Sequence, residues 1–323
     1  MADLPAERVQ ADKPFLHCGL AYAGIFNVRV RVRDDYVDKT KCWVVVFVCL
    51  KTRAVHIDLV LDLTTQSFIA CFERFIGRRG HYAKLFSDNA TTFVGASKTT
   101  KRAMDHWRGQ EALEHIGLKG TEWHFMIPAA PHQGGIYEAA VKSMKFHLSR
   151  IVGQKTLAQD QLVTLLVEIA AILNSRPLYP LSDDPNDMQA LTPGHFIIGE
   201  PLILPPLFLV DDQPTSLGIK LWQQRQTMLQ HFWNRWQADN LNSLQERKKW
   251  RREHENVKIG QMVIIKAENF PPAQWALGRF TELVLSKDKL VRSVVVQTQT
   301  SKLTRPIQKI CILPVEPDPA EQR

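Results

Sequence analysis

Apolar and polar positions change their period several times along the chain, and the first changes predict β-strands. Residues 19–33 alternate and are rich in Val, Tyr and Phe, residues 43–50 are continuously apolar, and residues 54–61 form a third β-like stretch. Such runs predict three adjacent antiparallel strands. The pattern then turns helical, since Thr64 and Thr65 offer an N-cap before phenylalanines that recur at helical spacing.

Beyond this helix, short apolar segments alternate with helical patterns. The predicted order is a strand at residues 84–87, a helical or partly irregular stretch at 97–116, a strand at 122–126, a helix that starts after Gly134-Gly135, and a further helix at 157–173. Alternation of this kind predicts an α/β fold, a mixed sheet with helices on both faces.

The second half of the chain has a different pattern. Residues 177–214 are rich in Pro and Asp and predict an extended connector, and a long helical pattern follows from residue 218 to about 255. Four short apolar runs at residues 262–265, 279–285, 291–297 and 310–313 then predict a small β-barrel. The expected domains are an N-terminal extension at 1–13, a core at 14–200, a Pro-rich connector with a basic helix at 201–256, a barrel at 257–314 and a disordered tail at 315–323.

Composition narrows the class of protein. The apolar runs are too short, or too broken by proline, to cross a bilayer, and the first residues lack the features of a signal peptide, so an intracellular setting is expected. The five cysteines are odd in number and include no Cys-x-x-Cys pair. They are expected to be buried free thiols rather than a disulfide framework or a zinc site.

The net positive charge of the chain lies in its last third. Residues 219–323 contain 18 Lys and Arg against 10 Asp and Glu, which equals the whole formal charge of +8. This third of the chain is therefore the candidate surface for a polyanion, the alternative being a solvated face that serves solubility.

Two carboxylates stand at positions that are typical of a metal-binding site. Asp88 follows the short apolar strand at residues 84–87, and Glu138 follows Gly134-Gly135 on the first turn of a helix. A strand end and a helix start meet at one rim of an α/β sheet, and Mg²⁺ and Mn²⁺ prefer the oxygen ligands that Asp and Glu supply. A pair of such metals stabilises the entering and leaving oxygens of a phosphodiester exchange. An isolated acid would instead be a solvated surface charge.

Longer motifs around these acids resemble a known family. They are Ser87-Asp88-Asn89-x-Thr91-x-Phe93-Val94-Gly95, Pro131-His132-x-Gly134-Gly135-x-x-Glu138-Ala139-Ala140, Leu173-Asn174-Ser175-Arg176-Pro177, Leu191-Thr192-Pro193-Gly194-His195-Phe196, and Pro271-Pro272-x-x-Trp275-x-Leu277-Gly278-Arg279. Together they resemble retrotransposon integrases, most closely those of the BEL/Pao type, over roughly residues 1 to 314.

The resemblance implies a fold and an activity. The fold is an RNase H-like mixed five-stranded sheet, followed by a long helical connector and a small SH3-like β-barrel. The activity is metal-dependent DNA strand transfer, with Asp, Asp and Glu holding two Mg²⁺ or Mn²⁺ ions. Asp88 matches the second Asp and Glu138 matches the Glu. The family's upstream zinc-binding domain is absent, so no structural zinc is expected.

The first acid of this trio is missing. The family places it before a Tyr-Ala-Gly-x-Phe signature, and here Ala21 occupies that position. In this site type the first Asp bridges both metals, and a methyl group ligates neither, so catalysis is expected to be impaired. Among other acids, Asp34, Asp35 and Asp38 belong to a distant hairpin, and Asp58 matches a position that is often acidic without being catalytic.

Several cations are candidate contacts to DNA. On the Glu138 helix, Lys142 and Lys145 match positions that face DNA in such integrases, with solvated charge as the equal alternative. The remaining candidates lie in the basic third of the chain: Lys248, Lys249, Arg251, Arg252, Lys258, Lys266 and Arg279.

Three interpretations remain open. The chain is an active integrase-type enzyme, a catalytically inactive or host-recruited DNA-binding protein, or a relic without function. Each of the first two implies DNA as partner, a nuclear location, no membrane association and a possible homo-oligomer.

Overall fold

The computed structural model describes residues 13–32, 35–88, 90–108, 122–125, 135–152, 156–182, 184–205, 217–245, 257–266, 270–285 and 291–313. The chain divides into two compact units, residues 1–173 and 174–323. Each unit has its own sheet and its own buried core.

The first unit contains six strands and four helices within the described residues. They are β1 (His17–Val32), β2 (Asp35–Cys49), β3 (Val55–Val60), α1 (Thr65–Arg79), β4 (Lys84–Ser87), α2 (Thr91–Arg108), β5 (Glu122–Phe125), α3 (Gly135–Val152), β6 (Leu157–Ala158) and α4 (Gln159–Asn174).

The strands form the predicted mixed sheet. Its order is β3-β2-β1-β4-β5, with the two-residue β6 also paired to β1. Strands β1, β2 and β3 are antiparallel to their neighbours, whereas β4 and β5 run parallel to β1. Short connections therefore join β1 to β2 and β2 to β3, and helical crossovers lead to β4 and β5. This confirms the α/β, RNase H-like arrangement expected from the sequence, and it confirms the three adjacent antiparallel strands.

Helices cover both faces of the sheet, as predicted. Helix α1 begins at Thr64, whose hydroxyl accepts from the amide of Ser67, and it ends at Gly80, where φ is 81° and a residue with Cβ would be strained. Its buried phenylalanines pack on one face, where Phe47 stacks on Phe75 at 4.1 Å. Helix α3 contacts β1.

The second unit contains the predicted connector, long helix and small β-domain. Its described elements are β7 (Tyr179–Pro180), β8 (Ala190–Leu191), α5 (Pro193–Ile198), α6 (Leu217–Leu244), β9 (Met262–Ile265), β10 (Leu277–Leu285), β11 (Val291–Gln297), β12 (Lys302–Pro306), a 3₁₀ helix (Ile307–Lys309) and β13 (Ile310–Ile312). Residues 174–200 belong to this unit.

The last five strands form an antiparallel sheet of order β12-β11-β10-β9-β13. The last strand, β13, thus lies beside β9, the first strand of this sheet. The sheet is the small β-domain that the sequence predicts. Strand β12 was not predicted, because its residues are mostly exposed and lack an apolar run. The core of the sheet is apolar and includes Val263, Phe280, Val294 and Val296.

Hydrogen bonds attach the C-terminal end of α6 and the residue that follows it to this sheet. Gln245 donates from Nε2 to the carbonyl oxygens of Gln308 and Ile310, at 2.8 and 3.0 Å, and the thiol of Cys311 donates to the carbonyl of Leu241 at 3.3 Å. The predicted basic run at residues 247–252 lies outside the described residues, as does the predicted tail. Within the described part of the chain, no helix is long and apolar enough to span a membrane.

Candidate nucleic-acid and carboxylate site

Ala21 lies within β1, and Asp88 directly follows the end of β4, the parallel strand beside β1. The register of β1 and β4 pairs Leu20 with Ser87, and Ala21 and Asp88 are the next residues of their chains. Neighbouring strands are about 4.8 Å apart, so position 21, where the sequence motif predicts an acid and Ala stands, adjoins Asp88. Asp88 is exposed, and its Oδ1 accepts from the amide of Ala90 at 3.0 Å. The structure therefore brings together two of the three positions that the sequence assigned to one site.

The side chains of β1 alternate between the two faces of the sheet. Tyr22 stacks on Phe93 of α2 at 4.7 Å and contacts Phe68 of α1 edge to face, so its ring lies on the α1 and α2 face. Ala21, the preceding residue, consequently faces the opposite side of the sheet. Glu138 is on the first turn of α3, as predicted. Its side chain is outside the described residues.

The Tyr22 hydroxyl is a functional candidate that the sequence did not single out. It is buried and has no hydrogen-bond partner among the described residues. Burial raises the pKa of Tyr22, and the nearby Cys71, Asp62 and Asp88 raise it further. The phenol therefore stays neutral and lies within electrostatic range of Asp88. Only the tertiary structure shows this, because Tyr22 and Asp88 become neighbours through the parallel pairing of β1 with β4.

Among the acids that the structure describes, those near β1 have other roles or lie far from position 21. Asp58 is 8% exposed, accepts from Nε of Arg74 at 2.7 Å and from the amide of Leu59 at 2.8 Å. It is a structural ion-pair partner, consistent with the expectation that it is not catalytic. Asp35 pairs with Val32 at the far end of the β1–β2 hairpin, about 35 Å along the strand from Ala21. Asp62 accepts from the amide and hydroxyl of Thr64 and so supports the start of α1.

This donor set does not fit a pair of divalent cations. Ala21 supplies a methyl group at the position where the family resemblance predicts a carboxylate, and Asp88 is the described carboxylate beside it. Within the described side chains, which exclude that of Glu138, no group of three His, Cys, Asp or Glu could hold a metal ion.

A basic stripe follows the solvent face of α3. The predicted residues Lys142 and Lys145 are both exposed, and Phe146, Ser149 and Arg150 continue the stripe at helical spacing. The guanidinium of Arg150 lies 3.7 Å from the centroid of the Phe146 ring. Met144, His147 and Leu148 on the opposite side are buried. The sequence analysis missed Phe146 and Arg150; a basic residue one further turn along the exposed face was the available signal.

The cations of the β-domain differ in their availability. Lys258 is exposed. Lys266 is half-buried, and its Nζ donates to Asn242 Oδ1 at 3.0 Å and Gln245 Oε1 at 2.7 Å. These bonds leave at most one of its three N–H donors for a phosphate. The remaining predicted contacts, Lys248, Lys249, Arg251 and Arg252, lie outside the described residues.

The geometry contradicts Arg279 as a contact to DNA. Its side chain is 6% exposed and donates from Nε, Nη1 and Nη2 to the carbonyl oxygens of Asp187, Gly260 and Ser182, at 3.1, 3.0 and 2.6 Å. The charge is therefore used inside the second unit, where it ties the connector to the sheet. Sequence reasoning counted it as a surface cation because its strand neighbours give no sign of these backbone partners.

Part of the second unit matches a protein family, and the chain is also similar to a solved structure. Residues 220–313 match a family described as "Family of unknown function (DUF5641)". No curated protein matches the chain. A cryo-EM structure of the simian T-cell lymphotropic virus intasome in complex with the PP2A regulatory subunit B56 gamma is similar at 11% sequence identity and a TM-score of 0.35, over 98% of this chain and 85% of that chain. That TM-score is too low to establish a common fold, so the fold described above rests on strand order and register.

Proposed function

We propose that this chain is an integrase-derived nucleic-acid-binding protein in which metal-dependent strand transfer is impaired. The observation that carries the proposal is the register of β1 and β4, which sets Ala21 directly beside Asp88. The rim of the sheet keeps the architecture of a carboxylate site and lacks the ligand that would bridge two cations.

Binding is supported by the stripe on α3. Three exposed cations and one exposed aromatic ring share a helix face without an intervening acid, and the same helix carries Glu138 on its first turn. Cations at this spacing neutralise phosphates without regard to sequence, and an exposed ring offers a surface on which a base stacks. The basic run at residues 247–252 adds charge from the second unit. DNA is the proposed partner, and the nucleus is the proposed location.

Fluorescence anisotropy on duplex DNA over a salt series tests the binding. The logarithm of affinity should fall linearly with that of salt concentration, because each neutralised phosphate releases counterions. Lys142→Ala/Lys145→Ala/Arg150→Ala should weaken binding to all sequences and reduce the slope by about two to three. A matched triple removes the same charge from exposed cations of α2, Lys98, Lys101 and Arg102. Equal effects of the two triples would disprove the α3 interface, and no binding at low salt would disprove the function.

The catalytic half of the proposal is tested at position 21. Ala21→Asp places a carboxylate beside Asp88 and should create measurable Mn²⁺ affinity by calorimetry, whereas the neutral isostere Ala21→Asn should not. In a strand-transfer assay, wild type should match Glu138→Gln, and Ala21→Asp should exceed both. Wild-type activity that Glu138→Gln abolishes would show that catalysis survives without the first acid.

A further inference from the structure

Two buried thiols face each other across β1 and β2. Cys18 and Cys49 are directly opposite in the antiparallel register, and they are 0% and 1% exposed. The amide of Leu50 donates to the carbonyl of His17 at 3.0 Å, which makes that neighbouring position a hydrogen-bonded pair. Because such pairs alternate, Cys18 and Cys49 form a non-hydrogen-bonded pair, in which Cα atoms are about 4.5 Å apart. A disulfide needs Cα atoms about 4.4 to 6.8 Å apart, so the backbone already meets this condition.

The two sulfur atoms are also held against one residue. The thiol of Cys18 donates to the carbonyl oxygen of Phe15 at 3.0 Å, and the amide of Phe15 donates to Sγ of Cys49 at 3.3 Å. Phe15 has a φ of 62°, an unusual value for a residue with a side chain. Both sulfurs thus lie on the same face of the hairpin and next to the same short piece of backbone.

The other three cysteines lack this arrangement. Cys42 is on the same strand as Cys49 and pairs with Phe26, Cys71 is on α1, and Cys311 donates to the carbonyl of Leu241. All five thiols are free and buried, as expected from the sequence. Burial alone therefore does not distinguish Cys18 and Cys49, whereas their direct opposition does.

We propose that Cys18 and Cys49 are a modification site, oxidised to a cross-strand disulfide by a low-molecular-mass disulfide such as oxidised glutathione. One thiolate attacks the oxidant and releases one reduced glutathione, and the second thiolate then displaces the other from the mixed disulfide. The two cysteines lose two protons and two electrons, and the oxidant gains both. The new bond removes the S–H that Cys18 donates to Phe15, so oxidation weakens the attachment of the segment before β1.

Thiol counting in glutathione buffers tests the pair. The folded chain is equilibrated at rising ratios of oxidised to reduced glutathione, quenched with acid, unfolded and alkylated, and its intact mass is measured. Alkylated cysteines should fall from five to three without bound glutathione, and peptide mapping should find one link, between Cys18 and Cys49. Cys42→Ala is the control from the same strand and should fall from four to two. Cys18→Ala should keep all four.

Three results would overturn the proposal. They are five alkylated cysteines at every ratio, a link to any other cysteine, or Cys18 or Cys49 held as a stable mixed disulfide with glutathione. If Cys18→Ala does not fold, the peptide map of the wild-type chain decides by itself. None of these outcomes depends on DNA binding or strand transfer.

Discussion

Replacement of Arg279 by alanine should destabilise the second unit without removing a direct contact to DNA. The guanidinium makes three hydrogen bonds to backbone carbonyls, at 2.6 to 3.1 Å, and is 6% exposed. A hydrogen bond to a charged group contributes about 1.5 to 3 kcal/mol. The desolvation of the cation offsets part of the sum, so we expect a net loss of about 3 to 5 kcal/mol. Arg279→Lys should lose about half as much, since one ammonium reaches fewer of the three carbonyls.

Hydrogen exchange followed by mass spectrometry measures this loss in the affected unit. With about 1.4 kcal/mol per tenfold change, the slowest amides of β10 and β11 should exchange roughly two to three and a half orders of magnitude faster. Amides of β1 and β2 in the first unit serve as the internal control. Lys258→Ala is the matched variant, because it removes an exposed cation of the same unit and should change stability by less than about 0.5 kcal/mol.

The same variants separate a structural role from a binding role. Affinity for DNA, corrected for the folded fraction, should fall for Lys258→Ala and stay unchanged for Arg279→Lys. The reasoning is refuted if Arg279→Ala leaves exchange in β10 unchanged and weakens DNA binding as Lys258→Ala does.

Two further predictions concern stability. Burial, with help from Arg79, lowers the pKa of His56 from 6.5 to about 4, so the unfolded chain takes up a proton at a higher pH than the folded chain. Stability should be full above pH 6.5 and fall by about 3 kcal/mol as pH drops to 4, and chemical denaturation of His56→Phe should show a flatter pH profile than that of the unmodified chain. A Cβ at Gly278 would lie 2.6 Å from the carbonyl oxygen of Gln297, whereas one at Gly77 meets nothing within 4 Å. In chemical denaturation, Gly278→Ala should lower the free energy of unfolding by about 1 to 3 kcal/mol, and Gly77→Ala should raise it by up to about 1 kcal/mol. Equal effects of the two substitutions would contradict the packing described.

Much of the fold could be predicted from local patterns. The strands at residues 84–87, 262–265 and 291–297 have the predicted limits, because each is a short apolar run between turn residues. Strand β12 was missed, since an exposed edge strand needs no apolar side chains and is held by backbone bonds to β11. The connector was predicted as extended, yet it contains α5, capped by Thr192 and His195, whose short span leaves little periodicity to detect.

In the candidate site, too, some features depend on the local sequence and others on the pairing of distant elements. The residue types and motif spacing placed Asp88 at a strand end and Glu138 on the first turn of a helix, because both depend on neighbours in sequence. The adjacency of Ala21 and Asp88 depends on a parallel pairing between strands that are more than sixty residues apart. The roles of Arg279 and Asp58 likewise depend on partners from distant elements.

The order of most elements, the position of the net positive charge and the absence of an acid at position 21 could therefore be read from the sequence alone. The tertiary structure decided which charged side chains are exposed to solvent and which are buried and hydrogen-bonded to other parts of the protein. It also decided which side chains meet, as Cys18 meets Cys49. The physical reason is that periodicity and turn chemistry are local properties of a chain, whereas burial and hydrogen bonding of a side chain are set by whatever the register brings opposite to it.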